Sequence, residues 1–166
     1  ALKIEKSFDK TGYISTVEKL QAHIKRGDIY EVNFCQEFFA KNANINPLAT
    51  YQALNQLSPT PFSGFLKIYK QYILSATPER FLCKRGRQLI SQPIKGTAKR
   101  SKIPMEDKQI KIALKSSLKE QAENVMIVDL VRNDLTKSAV KGTVKVDELF
   151  GIYTFPQVHQ MISTIS

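Results

Sequence analysis

A lysine set between apolar residues and a glycine, Pro93-Ile94-Lys95-Gly96-Thr97, is the first place in this sequence where chemistry could be done. The glycine lets a ligand approach the backbone, and the lysine could act as a nucleophile. An ordinary lysine amine titrates near ~10.4, so nucleophilic work at neutral pH requires partial desolvation or a cationic neighbour. By spacing alone a solvated loop lysine is the plainer reading, because lysines are common and seldom buried. Glu79, in Thr77-Pro78-Glu79-Arg80-Phe81, falls on a short connection between two β-type runs, where one carboxyl could act as a general acid at a sheet edge. A surface ion pair with Arg80 or a lysine is the plainer alternative.

Glu120 and Glu123 stand three apart in a helical pattern and project from nearly the same face, with Asn124 beside them. Two carboxylates so placed suit Mg²⁺, which takes one or two of them and fills its shell with waters and substrate oxygens; a solvated helix face explains the same pair. Asp129, Arg132, Asn133 and Asp134 read as a hydrogen-bond and salt-bridge network at a helix end. His159, in Pro156-Gln157-Val158-His159-Gln160-Met161, and His23 both read as packing histidines.

These residues need elements to position them. Ser15-Thr16-Val17-Glu18 has capping-box spacing and predicts a helix over 15–26, stopped by Gly27. Residues 29–39 read as a strand, and Asn46-Pro47 opens a second helix that Ser58-Pro59 ends. Short β runs over 62–69, 72–76, 80–85 and 87–94 predict an antiparallel meander. Pro104 with Glu106 and Asp107 marks the start of a long helix, with Ile110, Leu114 and Leu118 on one stripe, continuing to about Asn133. A strand over 143–146 precedes the last segment. The fold class expected is α+β.

At 166 residues and 42% hydrophobic content, the chain is long enough for one sizeable core and short for two ordinary domains. No stretch reaches the ~20 apolar residues of a membrane span. Cys35 and Cys83 lie in unrelated contexts, so neither a disulfide framework nor a zinc site is expected, and a reducing cytoplasm is the natural setting. The net charge of +10 attracts nucleic acid, acidic surfaces or small anionic substrates alike. Basic residues cluster only at Lys84-Arg85-Gly86-Arg87 and Lys99-Arg100-Ser101-Lys102, with no interleaved aromatic platform, which keeps a nucleic-acid-binding module as an alternative rather than the expectation.

Together and in order, Gly27-Asp28-Ile29-Tyr30-Glu31-Val32-Asn33, Ser58-Pro59-Thr60-Pro61-Phe62, Thr77-Pro78-Glu79-Arg80-Phe81, Pro93-Ile94-Lys95-Gly96-Thr97 and the run from Ala122 to Leu135 resemble the signatures of the chorismate-binding enzymes. That family includes anthranilate, aminodeoxychorismate and isochorismate synthases. Its aminodeoxychorismate branch carries lysine where Lys95 stands and anthranilate synthases carry alanine; Asn124 agrees, since anthranilate synthases usually have histidine there. Two mild departures are Glu31, for the usual glutamine, and Thr77, for the usual serine.

The resemblance implies antiparallel sheets layered around a cleft with outer helices. It implies Lys95 as nucleophile, Glu79 as acid, Glu123 as a Mg²⁺ ligand with Glu120 nearby, and Gly96, Thr97 and His159 lining the chorismate site. The implied reaction converts chorismate and ammonia, delivered by a glutamine amidotransferase partner, to 4-amino-4-deoxychorismate; anthranilate or isochorismate synthesis is the alternative within the family. No nucleic acid or membrane partner is expected. Family members continue with a Gly-Gly-Ser-x-Thr-Gly-Ala-Pro-Lys loop and a second glutamate cluster that this sequence does not contain, so the chain is expected to be part of a single catalytic domain lacking its C-terminal portion.

Overall fold

Asp9, rather than Ser15, caps the first helix of the computed structural model, which describes residues 2–166. Its carboxylate accepts the Gly12 amide at 2.7 Å, so α1 (Lys10–Arg26) starts well before the predicted capping box, and Gly27, at φ 78°, ends it as expected. Within this first unit, which ends at Ile45, β1 (Glu5–Lys6) pairs with β2 (Phe38–Phe39). Those two residues are all that forms of the strand predicted over 29–39, the rest having no ladder partner among the described residues.

The second unit, Asn46 to Ser166, holds every candidate site residue. Asn46 caps α2 (Pro47–Leu57) through its side-chain oxygen and the Ala49 amide, 3.1 Å apart, and Ser58 closes it, both as the sequence indicates. The predicted meander divides in two. β3 (Gly64–Ile68) and β4 (Gln71–Ser75) form one hairpin, β5 (Arg80–Arg85) and β6 (Gln88–Gln92) another, and β4 does not pair with β5. Pro78 has no amide to continue a ladder across the connection, and the Thr77 carbonyl instead accepts the Phe62 amide at 3.1 Å.

Lys95, which spacing alone would leave on a loop after the strand predicted over 87–94, lies on a strand of its own, β7 (Ile94–Lys99). β8 (Val146–Thr154) begins where the strand predicted over 143–146 should end. The last strand, β9 (Val158–Ile165), is the centre of a five-stranded antiparallel sheet, with β8 on one edge and β7, then the end of β6, along the other. Pro93 separates β6 from β7. His159, Met161, Ser163 and Ile165, alternate residues on one face of β9, are buried, as is Ile162 on the other.

The single long helix predicted from Pro104 is two: α3 (Pro104–Ser116) and α4 (Leu118–Thr136). Ser117 between them is extended, and its hydroxyl accepts the Glu120 amide as the cap of α4, while the Gln121 side chain donates to the Lys115 carbonyl at the end of α3. Serine offers the backbone this local alternative to continued helix. Both helices pack on the sheet, and Val128 and Leu135 of α4 form the buried core with Ile165, flanked by Leu89, Val131 and Val144. The α+β class with antiparallel sheets is confirmed. Leu66, Ile68, Tyr69 and Ile73 of the β3–β4 hairpin remain exposed. No helix among the described residues is long and apolar enough to cross a membrane.

Candidate active site

The site is built around an irregularity in β7. Ile94 pairs with Ile162 and Thr97 with Gln160, so the register slips between them, and Lys95 and Gly96 bulge out of the ladder. Gly96 has φ 97°, which an L side chain adopts only with strain. The missing Cβ also makes room: an atom there would stand 3.2 Å from the Glu120 carboxylate, the Glu120 Cβ and the Met161 Cβ. Glu120 is thus seated against the strand at the residue following Lys95.

Two further side chains hold the bulge. One Glu79 carboxylate oxygen accepts the Ile94 amide at 3.3 Å, bringing the candidate acid to the residue before Lys95. From α4, the fully buried Asn124 donates through its amide nitrogen to the Lys95 and Met161 carbonyls, each at 3.4 Å. Lys95 is half-buried on a strand rather than solvated on a loop. The candidate nucleophile, acid and first carboxylate, far apart in sequence, therefore meet at three consecutive residues of one strand.

Glu123 is one helical step from Glu120, and the Lys119 ammonium contacts both, at 3.4 Å from Glu120 and 3.2 Å from Glu123. The carboxylates hold the Lys119 amine above its ordinary range, the Glu123 hydrogen bond contributing most and Glu120 next. Two carboxylates already converge on one cation, which is the donor chemistry a magnesium ion requires, and Lys119 is exposed enough to leave. No group of three His, Cys, Asp or Glu side chains among the described residues gathers as a metal cluster, so substrate and water oxygens would have to complete the shell.

Thr97 is exposed, and its hydroxyl faces the Gln160 amide nitrogen at 3.5 Å. His159, the neighbour of Gln160, points to the opposite face, as strand alternation demands. It is 2% exposed; Nε2 lies 3.0 Å from an Asp107 carboxylate oxygen and Nδ1 3.0 Å from the Thr154 hydroxyl. The structure therefore places His159 with Asp107 rather than beside Thr97. Asp107 also receives Arg100 at 3.0 Å and the Ser101 amide at 3.0 Å. The Arg100 hydrogen bond is the main cause that holds its carboxyl down to about 2, aided by His159 and Ser101 against the opposing effect of burial.

Sequence reasoning missed Gln160, although period-two alternation from a buried His159 would have pointed to it. It also left Asn124 without a structural task, and no local signal supplies one. Asp129 and Arg132 pair at 3.1 Å and Asp134 with Lys137 at 2.8 Å, as a helix-end network. His23 bonds Asp28 at 2.8 Å beside the end of α1. Cys35 and Cys83 are free thiols. A cavity of about 520 Å³, lined by Arg85, Arg87, Leu89, Leu135, Lys145 and Ser166 among others, holds none of the candidate side chains.

The chain is 43% identical over 154 residues to aminodeoxychorismate synthase component 1 of Escherichia coli (strain K12), covering 93% of this chain and 34% of that protein. It is 41% identical over 165 residues to aminodeoxychorismate synthase of Streptomyces griseus, covering 98% and 22%, and 33% identical over 163 residues to anthranilate synthase component 1 of Thermus thermophilus, covering 98% and 35%. It therefore spans about a third of the length, or less, of these relatives. Among solved structures, anthranilate synthase component I from Streptococcus pneumoniae TIGR4 superposes with a TM-score of 0.85 at 26% identity, over 99% of this chain and 35% of that one. A description of the family named "chorismate binding enzyme" matches residues 1–166 from end to end, and the chain belongs to that family.

Proposed function

We propose that the protein containing this chain is an aminodeoxychorismate synthase, which converts chorismate and ammonia to 4-amino-4-deoxychorismate. The observation that carries the reading is the convergence of Glu79, Glu120 and Asn124 on the strand segment that presents Lys95. Identity of 38–43% to several aminodeoxychorismate synthases, against 33% to the anthranilate synthase of Thermus thermophilus, supports the same branch.

In this mechanism Lys95 acts as a neutral amine that adds at C2 of chorismate. Electrons shift through the ring, the C4–O bond breaks, and Glu79 delivers the proton with which the hydroxyl leaves as water. Ammonia then adds at C4, and the reverse electron shift releases the Lys95 amine. Glu123 and Glu120 would hold Mg²⁺, which when bound offsets the negative charge of the substrate carboxylate. The missing Cβ at Gly96 lets the Glu120 carboxylate sit against the bulge, which keeps the acidic pair beside the nucleophile. Thr97 and Gln160 share one face of the sheet. His159, with Asp107, Thr154 and Arg100, lies on the other, the face of Met161 against which Glu120 is seated.

A glutamine amidotransferase would supply the ammonia; "component 1" in the names of the bacterial relatives speaks of such a division in those proteins. The product would feed p-aminobenzoate and folate synthesis in the cytoplasm, a setting that suits the two free thiols. The test is to supply the complete gene product with chorismate, Mg²⁺ and ammonium salt and to separate the products chromatographically. 4-Amino-4-deoxychorismate is expected, and its rate should fall at least a hundredfold in Lys95→Ala, with any residual amination shifted toward C2. Anthranilate or isochorismate from the unaltered protein would assign it to another branch. Unchanged rate and product in Lys95→Ala would reduce this lysine to a surface cation. No turnover, together with a steeply salt-dependent shift of DNA, would favour the nucleic-acid-binding alternative.

A further inference from the structure

A bulge removes backbone groups from their ladder, and a buried carbonyl left without a partner is costly. In β7 the register with β9 slips at Lys95 and Gly96, and from α4 Asn124 donates to the Lys95 carbonyl there. The second hydrogen of the same amide reaches the Met161 carbonyl on β9. The remaining atom, Oδ1, accepts the Ser163 hydroxyl at 2.5 Å, and the Ser163 oxygen in turn accepts the Phe150 amide at 3.1 Å. Phe150 lies at φ 58° in an irregular part of β8, where the register with β9 also shifts. Asn124 and Ser163 are both 0% exposed.

The Lys95 and Met161 carbonyls can only accept, so they take the Asn124 amide nitrogen and leave Oδ1 to accept the Ser163 hydroxyl. Ser163, whose oxygen receives the Phe150 amide of β8, thereby holds the one polar atom of the Asn124 amide that those carbonyls do not. A fully satisfied buried network of this kind admits one arrangement and resists others, which is how a core can hold a strand irregularity in a single conformation.

We propose that Asn124, oriented by Ser163, is a positioning residue that locks the β7 bulge and so aims the Lys95 side chain. The effect on turnover rests on Lys95 being the nucleophile; the locking of the bulge does not. Asn124→Leu, of similar size but without donors, removes the bonds from α4 to the Lys95 and Met161 carbonyls. Ser163→Ala keeps the Asn124 amide and removes the group that orients it. Ser91→Ala is the control: Ser91 is also buried, and its hydroxyl bonds the Phe81 carbonyl at 2.9 Å elsewhere in the same unit.

The experiment combines two readouts on the complete gene product. In hydrogen exchange followed by mass spectrometry, the peptide containing residues 95–97 should exchange at least tenfold faster in Asn124→Leu, several-fold faster in Ser163→Ala, and as in the unaltered protein in Ser91→Ala. In ammonium-dependent turnover, kcat should fall at least tenfold in Asn124→Leu and less in Ser163→Ala, with the KM for chorismate changing under threefold. If Asn124→Leu does not fold, Ser163→Ala alone decides. Exchange at 95–97 unaltered in Ser163→Ala, or accelerated no more than in Ser91→Ala, would overturn the proposal. Faster exchange with kcat unchanged would show the bulge held by Asn124 and overturn the aiming role, while the part of Lys95 in the chemistry is decided separately by Lys95→Ala.

Discussion

Replacing Gly96 by alanine tests whether the Glu120 carboxylate is seated against the strand that carries Lys95. Two costs follow from the structure. At φ 97° an alanine pays about 1–2 kcal/mol for an unfavourable backbone conformation. Its Cβ would also stand 3.2 Å from Glu120 and Met161 atoms. The carboxylate can swing away at about 0.5–1.5 kcal/mol of rotamer strain, but the Glu120 Cβ is fixed to α4 and the Met161 Cβ to β9, so helix and strand must part by a few tenths of an ångström. Overpacking of this kind costs about 1–3 kcal/mol. Gly142 supplies the reference, since it has φ 80° and nothing within 4 Å of an added Cβ, so that Gly142→Ala pays the backbone cost alone. Urea unfolding of both variants should show Gly96→Ala less stable than Gly142→Ala by at least about 1 kcal/mol, on the lower bound of the overpacking range. Turnover in saturating ammonium should fall in Gly96→Ala with a raised Mg²⁺ requirement, and remain normal in Gly142→Ala. Equal destabilisation and equal magnesium dependence in the two would refute the placement of Glu120.

The other expectations are briefer. Glu123→Gln should raise the Mg²⁺ concentration for half-maximal turnover at least tenfold, while Glu18→Gln leaves it unaltered; equal dependence in both would take Glu123 out of the metal site. Lys119→Met should act in the opposite direction and lower that concentration several-fold, because the ammonium shared by Glu120 and Glu123 competes for the same oxygens; a higher requirement would contradict the competition. Asp107 is depressed to about 2 in the folded chain, so the stability it contributes is complete above the ordinary carboxylate value near 4 and is lost as pH falls from there toward about 2. Acid titration of Asp107→Asn should therefore show less loss of stability across that window than the unaltered protein, and identical acid profiles would mean that the Arg100 and His159 contacts are absent in solution.

The elements read correctly from the sequence are those whose signals act within a few residues. Gly27 ends α1, Asn46-Pro47 opens α2, Gly86 turns β5 into β6, and the spacing of Glu120 and Glu123 already places them on one helical face. Even local signals competed: Asp9 displaced the Ser15 capping box, and Ser117 ended one helix and capped the next where the apolar stripe alone implied continuity. The motifs carried the family, because the runs around Lys95, Glu79 and Glu123 need no structure to be recognised. Tertiary structure decided what those residues meet. That β9 is central, with β6 and β7 sharing one of its edges, depends on pairings between segments some seventy residues apart, which no local pattern encodes. The bulge at Lys95 and Gly96 is the slip of the ladder between Ile94 and Thr97, and Asn124 matters because α4 brings it to the Lys95 carbonyl there. Alternation along β9 puts His159 and Gln160 on opposite faces, and the elements the fold brings alongside decide that His159 meets Asp107 and Gln160 meets Thr97. Helix caps and turns are settled by the backbone's nearest neighbours, whereas the partners of a strand's unpaired groups are settled by whichever element the whole fold brings alongside them.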